Sequence, residues 1–258
     1  MKNNRNYISS AENGKNLERN QTIDFFRFIA VVSVLLFHFG LLNFNKGYLG
    51  VDIFFLISGF LMAQIISNDL SSNIFEFKSF ILKRICRIFP TMIVMIVSVN
   101  FFTYIFFQPS EVKHHQSASF STIIFLSNVY FWRTTGYFNS NAQNSSLLHT
   151  WSLGIEFQFY CALALLTLII RRKLNQEIWL KWFGIFGLLS FAFFLYFREI
   201  KSIATFFLIP FRFWEFSLGG LIYHLRNARI LKFTTKLVVL VLHLAQHKLI
   251  YQLMFQLQ

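Results

Sequence analysis

The first apolar stretch of the chain, Ile23–Leu42, carries three residues foreign to hydrocarbon: Asp24, Arg27 and His38. A charged side chain at mid-bilayer costs at least about 2.5–3.5 kcal/mol on insertion scales, so each one calls for a partner or a role. Arg27 and His38 are eleven residues apart, close to three helical turns. That spacing puts them on one helix face, about 16 Å apart along the axis. Asp24 precedes Arg27 by one turn and can pair with it. The same residues also have a purely structural reading, with Arg27 snorkelling to one interface and His38 capping the other end.

Four further clusters share this character. Gly50-Val51-Asp52 opens the second apolar stretch, which runs on through Phe54-Phe55 to Ser58-Gly59-Phe60. A carboxylate such as Asp52 beside a histidine fixes its tautomer and raises its basicity; alternatively Asp52 is a headgroup-level acid and Gly59 a packing position. Lys83-Arg84-Ile85-Cys86-Arg87 precedes Pro90, with Arg84 and Arg87 on one helical face. Two guanidiniums and an ammonium can clamp phosphates, although any basic run at an interface also serves topology. Trp151-Ser152-Leu153 leads to Glu156, one turn beyond Ser152, and then to Gln158-Phe159-Tyr160. Trp and Tyr suit an interfacial belt, but Glu156 does not. Arg212 and Glu215 lie three residues apart in the sixth stretch, with Gly219 a turn on, where a structural ion pair is the competing explanation.

The elements that must hold these residues are transmembrane helices. Of the 258 residues, 55% are hydrophobic and 14% charged, and 36 are Phe; a soluble domain carries about 25% charged residues. Six stretches are long enough to cross a hydrocarbon core of about 30 Å as helices: Ile23–Leu42, Leu49–Ile66, Phe89–Phe107, Trp151–Ile170, Trp179–Phe197 and Ile203–Tyr223. A weaker seventh covers Leu237–Phe255. The run Phe120–Trp132 is short and suits a re-entrant or interfacial segment. The expected fold is therefore all-α, a polytopic transmembrane bundle.

The net charge of +13 is carried in clusters between the spans, which reads as a positive-inside signal and excludes nucleic acid as the partner. Basic residues crowd the N-terminal tail, the segment 67–89, Arg171-Arg172-Lys173 and the segment from Arg226 to Lys236, whereas 108–150 holds only Lys113 and Arg133. If Phe120–Trp132 does not span, the basic-rich segments share one side. The N-terminus is then cytoplasmic, and residues 108–150 are external. This topology puts His38, Asp52, Ser152 and Glu156 in the outer half and Arg84 and Arg87 at the inner face, with Arg27 and Arg212 between. An anionic donor from the cytoplasm could there meet an acceptor from outside. Cys86 and Cys161 read as small apolar residues rather than a disulfide. Residues 1–21 read as a disordered cytoplasmic tail without a cleaved signal peptide, and no metal site is expected.

Five motifs in order then carry a family resemblance. Ile23-Asp24-Phe25-Phe26-Arg27 with His38, Gly50-Val51-Asp52-Ile53-Phe54-Phe55 with Ser58-Gly59-Phe60, Arg84 and Arg87 with Pro90, Trp151-Ser152-Leu153 with Glu156, and Arg212 with Glu215 and Gly219 resemble the membrane acyltransferase 3 family of the O-antigen acetylase type. The resemblance covers residues 22–226, read as the acyltransferase domain, and fades over 227–258, read as a divergent segment with a possible partial span. It implies transfer of an acetyl or other short acyl group from acetyl-CoA, as donor substrate, to a hydroxyl of a cell-surface carbohydrate such as lipopolysaccharide or a lipid-linked sugar. The setting it implies is the bacterial inner membrane. It assigns essential roles to Arg27 and His38 and donor phosphates to Arg84 and Arg87, with Lys83 beside them. His38 would take the hydroxyl proton or carry the acyl group, Arg27 would stabilise the oxyanion, and Asp52 or Glu156 would orient His38. Ser152, Trp151, Arg212 and Glu215 would line the substrate side. Relatives are expected to carry about ten spans, so the chain reads as C-terminally shortened, and an inactive remnant is one alternative. The other is a transporter using His38, Asp52 and Glu156 as a proton path. The topology has a direct check: reporters inserted after Gln143 and after Lys173 are expected to report opposite sides, external and cytoplasmic, and the same side for both would overturn it.

Overall fold

A computed structural model of the chain describes residues 21–39, 49–72, 74–134, 145–170 and 176–225. The N-terminal tail 1–20, the basic triplet Arg171-Arg172-Lys173, the segment 227–258 and the seventh stretch Leu237–Phe255 lie outside the described residues. The described residues are helical, and four helices among them are long and apolar enough to cross a membrane. The chain is a multi-pass helical membrane protein. The helices are α1 Gln21–His38, α2 Leu49–Ser71, α3 Phe77–Phe106, α4 Pro109–Ile123, α5 Ser127–Thr134, α6 Thr150–Ile170, α7 Gln176–Phe197, α8 Ser202–Phe207 and α9 Phe213–Leu225, with a 3₁₀ turn Ile209–Phe211 before α9.

Two compact units meet within α2, one ending at Ile57 and the other beginning at Ser58. In the first, α1 and the start of α2 touch at Gly50, where a Cβ would run into the Ala30 carbonyl and the Val34 side chain. Small residues let transmembrane helices approach this closely, since lipid offers no hydrophobic drive to bring them together.

The second unit holds the rest. Its third span differs from the sequence expectation, because the helix begins at Phe77 rather than Phe89. Nothing in Glu76–Phe89 breaks a helix, and Pro90 falls inside α3 without ending it. At 30 residues, α3 is about 45 Å long, and Arg84 and Arg87 stand in its second and third turns. Its far half turns Val94, Val97, Phe101, Phe102 and Phe106 outward, a face that only lipid would tolerate.

Phe120–Trp132 does not form one helix. α4 ends at Ile123, Phe125 takes a left-handed conformation with φ of 57°, and the short α5 follows. The break is held by buried polar contacts: Ser127 Oγ donates to the Thr150 carbonyl at 2.7 Å, and Thr122 and Thr150 hydroxyls meet at 2.9 Å. Phe125 stacks on Phe157 with ring centroids 4.0 Å apart.

The sixth stretch, expected as one span over Ile203–Tyr223, is also interrupted. Leu208 is extended, and Pro210 removes a donor, so α8 and α9 are separate helices joined by the 3₁₀ turn. Backbone groups freed away from water need internal partners, and three of them have one here. Arg212 Nε donates to the Phe206 carbonyl at 3.2 Å, Asn128 Nδ2 to the Phe207 carbonyl at 3.0 Å, and the Trp214 N–H to Ser190 Oγ at 3.1 Å. α9 lies along α7, with Ser217 donating to the Phe183 carbonyl at 3.0 Å. Gly59 of α2 abuts the backbone of Phe216 in α9, where an added Cβ would overlap the Phe216 carbonyl.

Backbone cannot yield as a side-chain tip does. Gly59→Ala is therefore expected to destabilise the detergent-solubilised protein by about 1–3 kcal/mol, the usual cost of overpacking. Gly184→Ala in α7, where an added Cβ meets nothing within 4 Å, is expected to leave the melting temperature unchanged or raise it. Equal losses from the two substitutions would refute the contact.

Candidate active site

Five charged residues of the second unit, Arg84, Arg87, Glu156, Arg212 and Glu215, fall into two clusters. The first runs from α3 to α2 through α6. Arg87 Nη2 donates to the Tyr160 hydroxyl at 3.3 Å, Tyr160 donates in turn to Glu156 Oε1, and Ser58 Oγ donates to the same oxygen at 2.5 Å. Arg84 is buried, with its guanidinium 5.0 Å from the Phe80 ring centroid and 5.9 Å from that of Tyr160. Its Nε has no hydrogen-bond partner among the described residues. Spacing explains the assembly: Glu156 and Tyr160 are one turn apart on α6, and Arg84 and Arg87 one turn apart on α3, so two helix faces bring four side chains together.

This differs from the layout expected from topology, which set Arg84 and Arg87 at the inner face and Glu156 in the outer half. Two hydrogen bonds connect Arg87 to Glu156. Tyr160 closes the interval because it stands a turn further along α6 than the carboxylate and its phenol extends towards α3. Lys83 is exposed and joins neither cluster.

The second cluster lies where α8 gives way to α9. Arg212 Nη1 and Glu215 Oε1 are 2.7 Å apart and both residues are buried. Arg212 sits 5.1 Å from the Phe206 ring and 6.0 Å from that of Trp151, and Trp151 packs on Phe206 at 4.5 Å. Trp151, Arg212 and Glu215 thus form one group. Ser152 stands apart from it, since its hydroxyl donates to the His149 carbonyl at 3.1 Å. Between the clusters, Asn128 and Gln158 exchange side-chain hydrogen bonds at 3.2 and 2.8 Å, and Gln158 Nε2 also donates to the Phe125 carbonyl at 3.1 Å. These amides tie α5 and α6 to the end of α8.

In the first unit, Arg27 Nη1 lies 3.8 Å from Asp24 Oδ1, and both side chains are about a third exposed, the pairing expected from their spacing. Asp52 is buried in the first turn of α2. His38 closes α1, and its side chain lies outside the described residues.

Sequence reasoning gave no role to Ser58 or Tyr160, although both stood inside quoted motifs. Nor did it single out the pair on α4, where His114 Nδ1 lies 2.9 Å from the Tyr130 hydroxyl and His115 is buried against Phe107. Burial holds the His115 imidazole below its ordinary pKa, helped by His114 and opposed by Glu111. Burial likewise raises the Tyr130 phenol.

A helical membrane bundle with a cationic turn wired to an intramembrane carboxylate is the architecture of an integral membrane protein with a polar site between its helices. Residues 20–258 match the acyltransferase 3 family, described as an acyltransferase domain, and the chain belongs to that family. The match continues through 227–258, where the recognisable motifs give out. An uncharacterized protein of Haemophilus influenzae is 36% identical over 126 residues, covering 49% of this chain and 51% of that one. The peptidoglycan O-acetyltransferase OatA of Listeria monocytogenes is 34% identical over 172 residues, covering 66% of this chain and 28% of its own. The chain thus spans about half the length of the first and about a quarter of the second. No solved structure matches.

The buried ion pair has a clear energetic consequence. Removing one partner leaves an uncompensated buried charge, so Arg212→Met or Glu215→Leu alone is expected to cost about 3–5 kcal/mol. The double substitution should cost clearly less than the sum of the two, as thermal melts in detergent would show. Additive losses would mean that the two charges do not interact.

Proposed function

We propose that the chain is a membrane O-acyltransferase that moves an acetyl or other short acyl group from acyl-CoA to a hydroxyl of a carbohydrate in the cell envelope. The observation that carries this is the hydrogen-bonded path from Arg87 of α3 through Tyr160 to Glu156, with Arg84 beside it over the Tyr160 ring. A site for this reaction needs cations for an anionic donor and a carboxylate for a hydroxyl, and both stand together between apolar helices. Family membership supports the reaction class, and the name of the Listeria relative supports a glycan acceptor, peptidoglycan or another envelope polysaccharide. Residues 22–226 act as the acyltransferase domain in this reading, in the inner membrane with the N-terminus cytoplasmic.

Arg84 and Arg87 take the donor phosphates, with Lys83 contributing from the exposed side. A buried guanidinium with an unoccupied Nε is a ready donor to a phosphate oxygen. Glu156 serves the acceptor side, and Trp151, Ser152, Arg212 and Glu215 shape the acceptor's surroundings. His38 takes the proton of the attacking hydroxyl, oriented by a carboxylate such as Asp52, and Arg27 stabilises the charge that develops on the thioester oxygen. As the hydroxyl oxygen bonds to the thioester carbonyl carbon, the carbon–sulfur bond breaks with its electron pair going to sulfur. The proton then passes to the thiolate, which leaves as CoA thiol.

Membranes containing the protein are expected to move label from acetyl-CoA into an envelope fraction that can be isolated. Arg27→Ala and His38→Ala should each lower that transfer by at least a hundredfold at unchanged protein level. Proton-coupled solute flux with no dependence on CoA would overturn the proposal in favour of a transporter.

A further inference from the structure

We infer that Tyr160 and Ser58 are positioning residues for the proposed acyl transfer, acting on Glu156 and linking it to the donor cations. The inference rests on the acyltransferase reading and adds two residues that it leaves without a role.

Tyr160 and Ser58 both donate to one oxygen of Glu156, Oε1. Among the described residues Oε2 accepts no hydrogen bond, so the carboxylate is clamped through one oxygen and open through the other. A carboxylate can accept a bond from a hydroxyl and repels a phosphate, so the group that Oε2 suits is a hydroxyl of the carbohydrate acceptor. The clamp fixes where Oε2 points. A carboxylate held by a single contact would swing about its side-chain torsions, and a glutamate has three of them to order.

The direction of the bonds gives the link to the donor side. Arg87 donates to the Tyr160 oxygen at 3.3 Å, and Tyr160 passes its own proton donor to Glu156. A cationic donor on a phenol oxygen polarises the O–H bond and strengthens what it donates. The Tyr160 ring is fully buried and packs near Phe159 at 6.0 Å, and Arg84 covers its face. The hydroxyl therefore has little freedom to choose another partner. A purely structural account would treat that hydroxyl as a buried polar group that found an acceptor. The two accounts separate experimentally, because Phe keeps the ring and loses only the link.

The test is a kinetic comparison in the full chain with labelled acetyl-CoA. Tyr160→Phe is expected to lower kcat at least tenfold while leaving the KM for acetyl-CoA within twofold and the melting temperature within a few degrees. Ser58→Ala, which removes the other bond to Oε1, should do the same to a smaller extent and stands in if Tyr160→Phe does not fold. In a Glu156→Gln background, neither substitution should lower the residual rate further. A kcat within twofold of wild type for both variants would overturn the inference, as would an undiminished effect in the Glu156→Gln background. Failure of the wild-type chain to turn over acetyl-CoA would be a different result, sinking the acyltransferase reading itself and this inference with it.

Discussion

A polar group left without a partner in hydrocarbon costs several kcal/mol, and that single constraint arranges most of what can be seen in the second unit. Side chains that would be surface residues in water are turned inward here and matched to one another. The interruption between α8 and α9 illustrates the economy of the solution. Carbonyls at the end of α8 are met by Arg212 and Asn128, and an N–H at the start of α9 is met by Ser190. Arg212 serves twice, since the same guanidinium that meets the backbone also neutralises Glu215. A charge that looked like a candidate for chemistry is thus also the reason a broken helix can exist inside the bundle.

The same constraint explains how two clusters so different in character can sit in one bundle. Arg212 and Glu215 meet each other at 2.7 Å in a buried pair, and the same guanidinium donates to the Phe206 carbonyl. Arg84 is incompletely satisfied, with a buried Nε without a partner among the described residues, and Arg87, which is exposed, makes a long bond to a phenol. Glu156 is bonded through one oxygen only. Incomplete satisfaction in a low-dielectric setting is costly, and a site built to bind something is where such a cost is expected to persist.

Much of this was legible in the sequence, and the exceptions have physical causes. The helical membrane class followed from composition and stretch length, and Asp24 with Arg27 and Arg212 with Glu215 paired as their i,i+3 spacing suggested. The interruptions at Phe125 and Leu208 were not legible, because hydropathy measures how apolar a stretch is and says nothing of its continuity. Pro210 was the one local signal of the second break, and no residue type flagged a left-handed Phe125. The early start of α3 was hidden for a related reason: basic residues end an apolar stretch without ending a helix. The link from Arg87 to Glu156 depends on the register between α3 and α6, which spacing within one helix cannot supply. Ser58 and Tyr160 went unassigned because a serine and a tyrosine in apolar sequence have ordinary explanations until a carboxylate is found between them.

The length of α3 carries a consequence of its own. At about 45 Å it exceeds a hydrocarbon core of about 30 Å, so the helix must tilt, or one end must stand clear of the acyl chains. Its arginines occupy early turns and its outward-facing phenylalanines late ones, so the lipid grips the far half and leaves the basic half to find its own level. Bilayer thickness then becomes a setting for this protein. A thicker membrane draws the guanidiniums deeper among the acyl chains and a thinner one lifts them towards the headgroups, while the bond from Arg87 to Tyr160 resists both. Hydrophobic mismatch, usually a matter of sorting and solubility, here acts on the depth at which the cations are held.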